Sequence, residues 1–387
     1  MSFQLPPESA LLHGLPEPYF STLVRTVREA HRTTPGGVID LARGNPELPP
    51  PAHVVEALRA AALEPGAHGY PPFAGMPELT EAFAHRFAEV YGVRLDPATE
   101  VIVVPGTKTA IALICMALAG RGDTVLVPDP GYPDYYSGVG VAGAQAAPLP
   151  LDAAAAFAPD WAAIAPDDLA RVRMAFLNYP SNPCGTRATP ALFDEAVAWA
   201  QRTGVPIVHD LAYGELVFDG QPPLSFLASE GAREVGVELV TMSKTYCMAG
   251  CRVGFVCGNP ALIERIRTLL DHLTVGVHMP IQHAAIAALR GPQGSVAALR
   301  DGYGRRATLI AQALECDRAQ GSYYTWLRLP EGLTFERLLH DYRVAVAPGA
   351  GFGARGEGWA RVSAAVSDEQ LEEGLHRLGM AFVAAGC

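Results

Sequence analysis

The stretch Val240-Thr241-Met242-Ser243-Lys244-Thr245-Tyr246-Cys247-Met248-Ala249-Gly250-Cys251-Arg252 sets one lysine just beyond a short apolar run, among small hydroxyl residues and with an arginine eight positions on. The run reads as a strand end. An amine that burial strips of water has a lowered pKa, becomes nucleophilic near neutral pH and can form a Schiff base with an aldehyde. The hydroxyls of Thr241 and Ser243 and the planar fork of Arg252 are donors suited to a phosphate. An aldehyde that carries a phosphate, pyridoxal phosphate for example, meets both requirements. The alternative is a lysine lying in solvent, as most lysines do.

Other polar residues stand at the carboxyl ends of short apolar runs at 101–104, 124–127, 172–177, 205–208 and 237–240, where open α/β sheets place ligands. Asp210 follows the fourth run, and a buried carboxylate needs a cation, either a protonated pyridine nitrogen or a structural arginine. Gly106, Thr107 and Lys108 follow the first run and open an apolar helix, the parts of an anion site. Tyr132, past the second run, either stacks on a flat ring or packs in its loop. Asn182, between prolines past the third, favours a turn or donates to a ligand oxygen. Tyr70 lies in a proline-rich, aromatic loop that is either packed or ordered by a ligand or partner subunit. Arg361 sits inside the apolar run 359–364, so a carboxylate partner is expected, structural or substrate. The run Gly138-Val139-Gly140-Val141-Ala142-Gly143 fits GxGxxG but does not follow a strand, and counts as coincidence. His272, His278 and His283 lack metal-ligand spacing.

These residues need scaffolding. An amphipathic segment at 20–30 belongs to an N-terminal arm; helices are expected after Pro51, with Val54, Val55, Leu58 and Ala62 on one face, from Met76 to a stop at Gly92, and after the Thr189-Pro190 cap. Beyond 295, helices alternate with strands at 323–329, 344–347 and 359–364. At 387 residues the chain exceeds one core, so two domains are expected. Forty acidic against 29 basic residues give a net charge of -11, which attracts neither nucleic acid nor an anionic membrane. Seven cysteines without a CxxC pair read as free thiols in a reducing cytoplasm. No leader is read in Met1–Glu8, and the apolar run 110–120 is too short to span a bilayer.

In this order the elements resemble the fold-type I pyridoxal-phosphate aminotransferases of class I/II, over nearly the whole chain. The resemblance is carried by Ser243-Lys244 through Arg252, Asn182-Pro183-x-Gly185, Asp210-x-x-Tyr213 and Arg361. It implies a three-layer α/β/α large domain on a mostly parallel sheet (46–285), a smaller α/β domain (286–387) and an arm (1–45) that joins it. Lys244 would form the internal aldimine and shuttle a proton; Asp210 would pair with the pyridinium nitrogen. Tyr213 and Asn182 would bond the ring oxygen, and Tyr132 would stack on the ring. Gly106, Thr107, Lys108, Thr241, Ser243 and Arg252 would hold the phosphate, joined by Tyr70 from the other subunit of a homodimer. Arg361 would clamp the substrate α-carboxylate with Asn182 and the Gly44 backbone.

The implied reaction moves an amino group from an L-amino acid to a 2-oxo acid such as 2-oxoglutarate. A carbon–sulfur β-lyase on the same fold is the alternative, and a non-catalytic binding protein is a further one. Lys108 implies a preference for acidic side chains. Asp129-Pro130-Gly131-Tyr132-Pro133, Gly321 to Trp326 and Gly351-Phe352-Gly353 resemble the bacterial branch that holds diaminopimelate, methionine-salvage and aspartate aminotransferases. Cys184 and Cys251 depart from the usual threonine and aromatic.

Overall fold

The computed structural model describes residues 5, 7–165, 169–218 and 220–386. Most of the segment read for a leader, residues 1–4 and 6, and the seventh cysteine, Cys387, lie outside them. Helix Tyr19–Thr33 buries Leu23, Val27 and Ala30 along one stripe and leads to β1 (Ile39–Asp40). Helix Ala52–Ala62 follows Pro51, and its face differs in one place from that read in the sequence. Val54 is buried, but Val55 is 48% exposed and Ala61 is buried instead, because position 55 lies about 100° round the helix from 54. Helix Pro77–Tyr91 ends at Gly92 with φ 72°, a left-handed stop that costs glycine nothing sterically.

The strands β2 (Val101–Val104), β3 (Thr124–Asp129), β4 (Gln145–Asp152), β5 (Ala158–Pro159), β6 (Val172–Asn178), β7 (Ile207–Asp210), β8 (Gly236–Thr241) and β9 (Gly254–Gly258) make one eight-stranded sheet, ordered β2-β9-β8-β7-β6-β3-β4-β5. Strands β4, β3, β6, β7 and β8 run parallel, whereas β9 is antiparallel to β8 and β2. Both faces are covered, which explains the near-continuous apolar runs. Val101 and Val103 join a core with helices Pro77–Tyr91, Pro190–Thr203 and Met279–Arg290. Ile102 and Val104 face the other way, onto helices Thr107–Leu118, Asp134–Ala142 and Pro260–Leu273, following the two-residue strand period. The sequence reading omitted β4 and β9. β4 carries two prolines near the sheet edge, where the lost donors are tolerated, and β9 is bracketed by glycines.

The Gly138–Gly143 run lies in helix Asp134–Ala142 and its cap. A Cβ at Gly138 would come within 2.7 Å of Ile111 Cγ2, so that glycine serves close helix packing. A smaller layer contains β10 (Tyr324–Arg328), β11 (Val344–Ala345), β12 (Ala347–Pro348) and β13 (Trp359–Ser363). The order is β10-β13-β12, with β1 pairing separately with β11. The N-terminal arm is thereby tied to chain some 300 residues later. Among the described residues, no helix is long and apolar enough to cross a membrane, and no cluster could hold a metal ion.

Two residues at the centre of the sheet fix its polar wiring. Glu238 on β8 is fully buried and accepts from Ser225 Oγ at 2.7 Å and Phe226 N at 2.6 Å, with His209 Nδ1 of β7 2.7 Å away. Glu238→Ala leaves all of these without an acceptor and should lower unfolding free energy by about 3–5 kcal/mol. A urea titration showing a loss below about 1 kcal/mol would contradict this account.

Candidate active site

Asp210 ends β7 and is almost fully buried, one residue after the His209–Glu238 contact. Its Oδ2 accepts from Tyr135 at 3.0 Å, while Oδ1 is buried without a partner among the described residues. Burial pushes its carboxyl up to about 6, against the opposing pull of Tyr135 and nearby positive groups. Asn178, ending β6, donates to the Asp210 carbonyl at 2.8 Å and accepts from Asn182 N at 2.7 Å. The two strand ends are thus laced together.

Lys244 lies one turn past β8, in the short helix Met242–Thr245 that Thr241 caps by accepting from Ser243 N. Its Nζ donates to the Gly44 carbonyl at 2.5 Å, and the Tyr323 hydroxyl donates to the same oxygen at 2.8 Å. Burial holds the amine below its ordinary value, with Tyr324 and Asp210 opposing and Arg361 and Arg252 reinforcing. Lys244 is half-buried rather than lying free in solvent, with its amine tied to a backbone carbonyl.

At one end of the site stands the start of helix Thr107–Leu118, whose unpaired amides and dipole suit an anion. Arg252 stands in a left-handed conformation, φ 54°, and donates to the Ala249 carbonyl at 2.8 Å. A Cβ at Gly106 would sit 2.3 Å from Arg252 Nη2; only glycine leaves room for the guanidinium there. Thr241 and Ser243 hydroxyls lie 2.9 Å apart beside it. Lys108 donates to Asp134 at 2.9 Å, and Tyr132 donates to the other Asp134 oxygen at 2.5 Å.

At the opposite end Arg361 is fully buried on β13. Its Nη1 donates to Asn182 Oδ1 at 2.8 Å and its Nη2 to the Ala42 carbonyl at 2.9 Å, and Nε is left without a partner. The guanidinium lies 3.9 Å from the Tyr324 ring centroid, 5.0 Å from Phe352 and 5.3 Å from Phe20. No carboxylate pairs with it among the described residues, so the structural aspartate considered for it is not found.

One cavity of about 970 Å³ gathers Gly44, Thr107, Lys108, Tyr132, Asn182, Asp210, Tyr213, Thr241, Ser243, Lys244, Arg252 and Arg361. Gly106 abuts it through Arg252. Tyr70 does not reach it within one chain; its side chain is 88% exposed. Sequence reading gave no site role to Tyr135, Phe20 or Tyr324, and took Asn178 only with Asn182 as a turn former or a donor to a ligand oxygen. Only Tyr135 and Tyr324 carried a signal, as aromatics beside strand ends or in a strand; Phe20 comes from the arm and is brought in by tertiary packing alone.

The donor set fits pyridoxal phosphate. The orphaned Asp210 oxygen can receive a ring N–H, the Gly106–Arg252 cradle and helix start suit a phosphate, and the desolvated lysine suits an aldehyde. The sequence profile of the family "Aminotransferase class I and II" matches residues 36–378. The chain is 42% identical to an L-glutamine–4-(methylsulfanyl)-2-oxobutanoate aminotransferase of Bacillus subtilis, with 96% of each covered. It is 39% identical to an LL-diaminopimelate aminotransferase of Desulforudis audaxviator, covering 96% of this chain and 97% of that one. A substrate-bound BacF structure from Bacillus subtilis superposes with TM-score 0.93 at 36% identity, over 97% of this chain and 98% of that one. The fold is that of the fold-type I transferases, and the chain belongs to the class I and II aminotransferases. It is a pyridoxal 5′-phosphate-dependent transaminase.

The raised Asp210 carboxyl has a consequence for the cofactor-free protein. Its contribution to stability is fully present below the ordinary value of 3.8 and is lost as pH rises through about 6. At about 1.4 kcal/mol per pH unit this amounts to as much as ~3 kcal/mol. Asp210→Asn should therefore stabilise the cofactor-free protein at pH 7.5 relative to the parent, with the gain vanishing near pH 4, while losing transaminase activity. Urea unfolding at the two pH values showing a constant difference would refute the assignment.

Proposed function

We propose that this aminotransferase takes nitrogen from an L-amino acid and gives it to 2-oxoglutarate, in alternating half-reactions at the cavity around Lys244. The observation that carries the reading is the pair of unsatisfied buried groups at the two ends of that cavity: Asp210 Oδ1, and Arg361 Nε in a guanidinium with no carboxylate. The first awaits a protonated ring nitrogen, the second the α-carboxylate of a substrate. Arg361 binds that carboxylate, with Asn182 orienting the guanidinium and the Gly44 backbone close by. Lys244 Nζ, lowered by burial, accepts the proton from the substrate α-carbon and returns it. When bound, pyridoxal phosphate supplies the electron sink for that proton's removal. Asp210 keeps a proton on the ring nitrogen, Tyr213 and Asn182 bond the ring oxygen, Tyr132 covers the ring face, and Gly106, Thr107, Lys108, Thr241, Ser243 and Arg252 hold the phosphate.

An acidic acceptor is supported by the cavity wall. Lys108 spends its charge on Asp134, whereas Arg28, which lines the same cavity from helix Tyr19–Thr33, has no ion-pair partner among the described residues. The relatives named for glutamine and diaminopimelate fit donors with long polar side chains. A homodimer is proposed because Tyr70 is exposed at 88% in one chain, where a second subunit could carry it to the phosphate of its partner. The division into arm, large domain and small domain at 45 and 285 is proposed from the sheet connectivity. The six described cysteines are free, which suits work in the cytoplasm.

Half-reactions followed by cofactor absorbance test this. The amino form of the enzyme should be reoxidised by 2-oxoglutarate, and Lys244→Ala should abolish turnover. Pyruvate release from cystathionine with no oxo acid present would instead establish the β-lyase. Arg28→Gln should reduce kcat/KM for 2-oxoglutarate by about tenfold, roughly 1.4 kcal/mol, and spare pyruvate. Equal losses for both acceptors, or a selective loss from Lys108→Ala instead, would sink the assignment of Arg28.

A further inference from the structure

Tyr324 has no part in the account above, yet it touches most of its members. It opens β10, in register with Ser363 two residues beyond Arg361, is almost fully buried and lines the cavity. Its ring centroid is 3.9 Å from the Arg361 guanidinium carbon, nearer than either phenylalanine ring. Its hydroxyl lies in hydrogen-bonding reach of Tyr213 and Tyr323, and the Tyr213 ring meets it edge-on at 5.8 Å, the Tyr323 ring at 4.7 Å. Burial alone would push the phenol up, but Arg361 and Lys244 beside it hold it below the ordinary tyrosine value. A side chain that only filled space would need neither a hydroxyl in the middle of a tyrosine cluster nor a cation on its face.

Arg361 has its planar face covered and its two Nη atoms tied to Asn182 and Ala42. Four rotatable bonds set the orientation of a guanidinium relative to its backbone, so a flat partner under the plane limits tilt. Tyr213, for its part, finds its hydroxyl neighbour in Tyr324. We propose that Tyr324 is a positioning residue with two separable duties: its ring holds the Arg361 guanidinium flat toward the substrate carboxylate, and its hydroxyl aims Tyr213 at the cofactor ring oxygen. This inference rests on the roles proposed for Arg361 and Tyr213.

The duties separate by substitution, with Tyr324→Phe keeping the ring and Tyr324→Met keeping comparable bulk without the ring. The holoenzyme is titrated with 2-oxoglutarate and with pyruvate for dissociation constants, and the pH midpoint of its visible absorbance is recorded. Tyr324→Phe should leave both dissociation constants within about twofold but move the midpoint upward, because a ring oxygen that receives a weaker hydrogen bond stays more basic. Tyr324→Met should in addition weaken both carboxylate ligands by about tenfold, the scale of a desolvated cation–π contact. If Phe and Met behave alike, or if neither moves either reading, the division of duties is wrong. Arg361→Lys is the control: should it leave both dissociation constants unchanged, the proposed carboxylate site fails and this inference with it, whereas a normal response beside silent Tyr324 variants overturns this inference alone.

Discussion

A carboxylate buried without a cation is the constraint on which this structure turns. Taking Asp210 out of water at the end of β7 is unfavourable, and the fold tolerates it with a single side-chain donor, Tyr135, leaving Oδ1 bare. Such a group persists because its surroundings are over-determined. His209 and Glu238 pin β7 to β8 immediately behind it, and Asn178 closes β6 onto it in front. The same parallel register that exposes Asp210 to the cavity delivers Lys244 one turn past β8. Polarity and placement therefore have one origin, the alignment of strand ends.

The cavity has the same electrical character at its two ends. Near Arg252 the helix start and hydroxyls offer donors suited to an anion, and the Arg361 guanidinium offers a second set across the cavity. Two cationic sites flanking a lysine depress its amine further, so the groups that would bind negatively charged molecules also make the nucleophile available. Charge for recognition and basicity for catalysis are not independent variables here.

Much of this was legible in the chain. The runs at 101–104, 172–177 and 237–240 show as strands because residues buried on both faces leave uninterrupted apolar text, and Gly92 and Thr189 announce helix ends by their chemistry. Twelve of the residues singled out meet in one cavity, since strand ends are local features and sheet order brings them together. What was hidden depends on distant parts. β4 has two alanines and two prolines among its eight residues and pairs as a strand with β3 beside it. Phe20 reaches Arg361 because the arm folds back, which no local pattern encodes. Lys108, read for acidic side chains, pairs instead with Asp134, 26 residues on.

The pairing of β1 with β11 joins the arm to the small layer. Leu41 accepts from Ser363, Ala42 from Arg361, and Gly44 from Lys244, so a few consecutive residues span the distance from the carboxylate anchor to the nucleophile. Helix Tyr19–Thr33 is fastened to the same layer, through the bond from Tyr19 to the Pro348 carbonyl. Mechanically this is a crank: any tilt of the small layer drags the cavity roof, the anchor and the carbonyl that parks the lysine through one coordinated stroke.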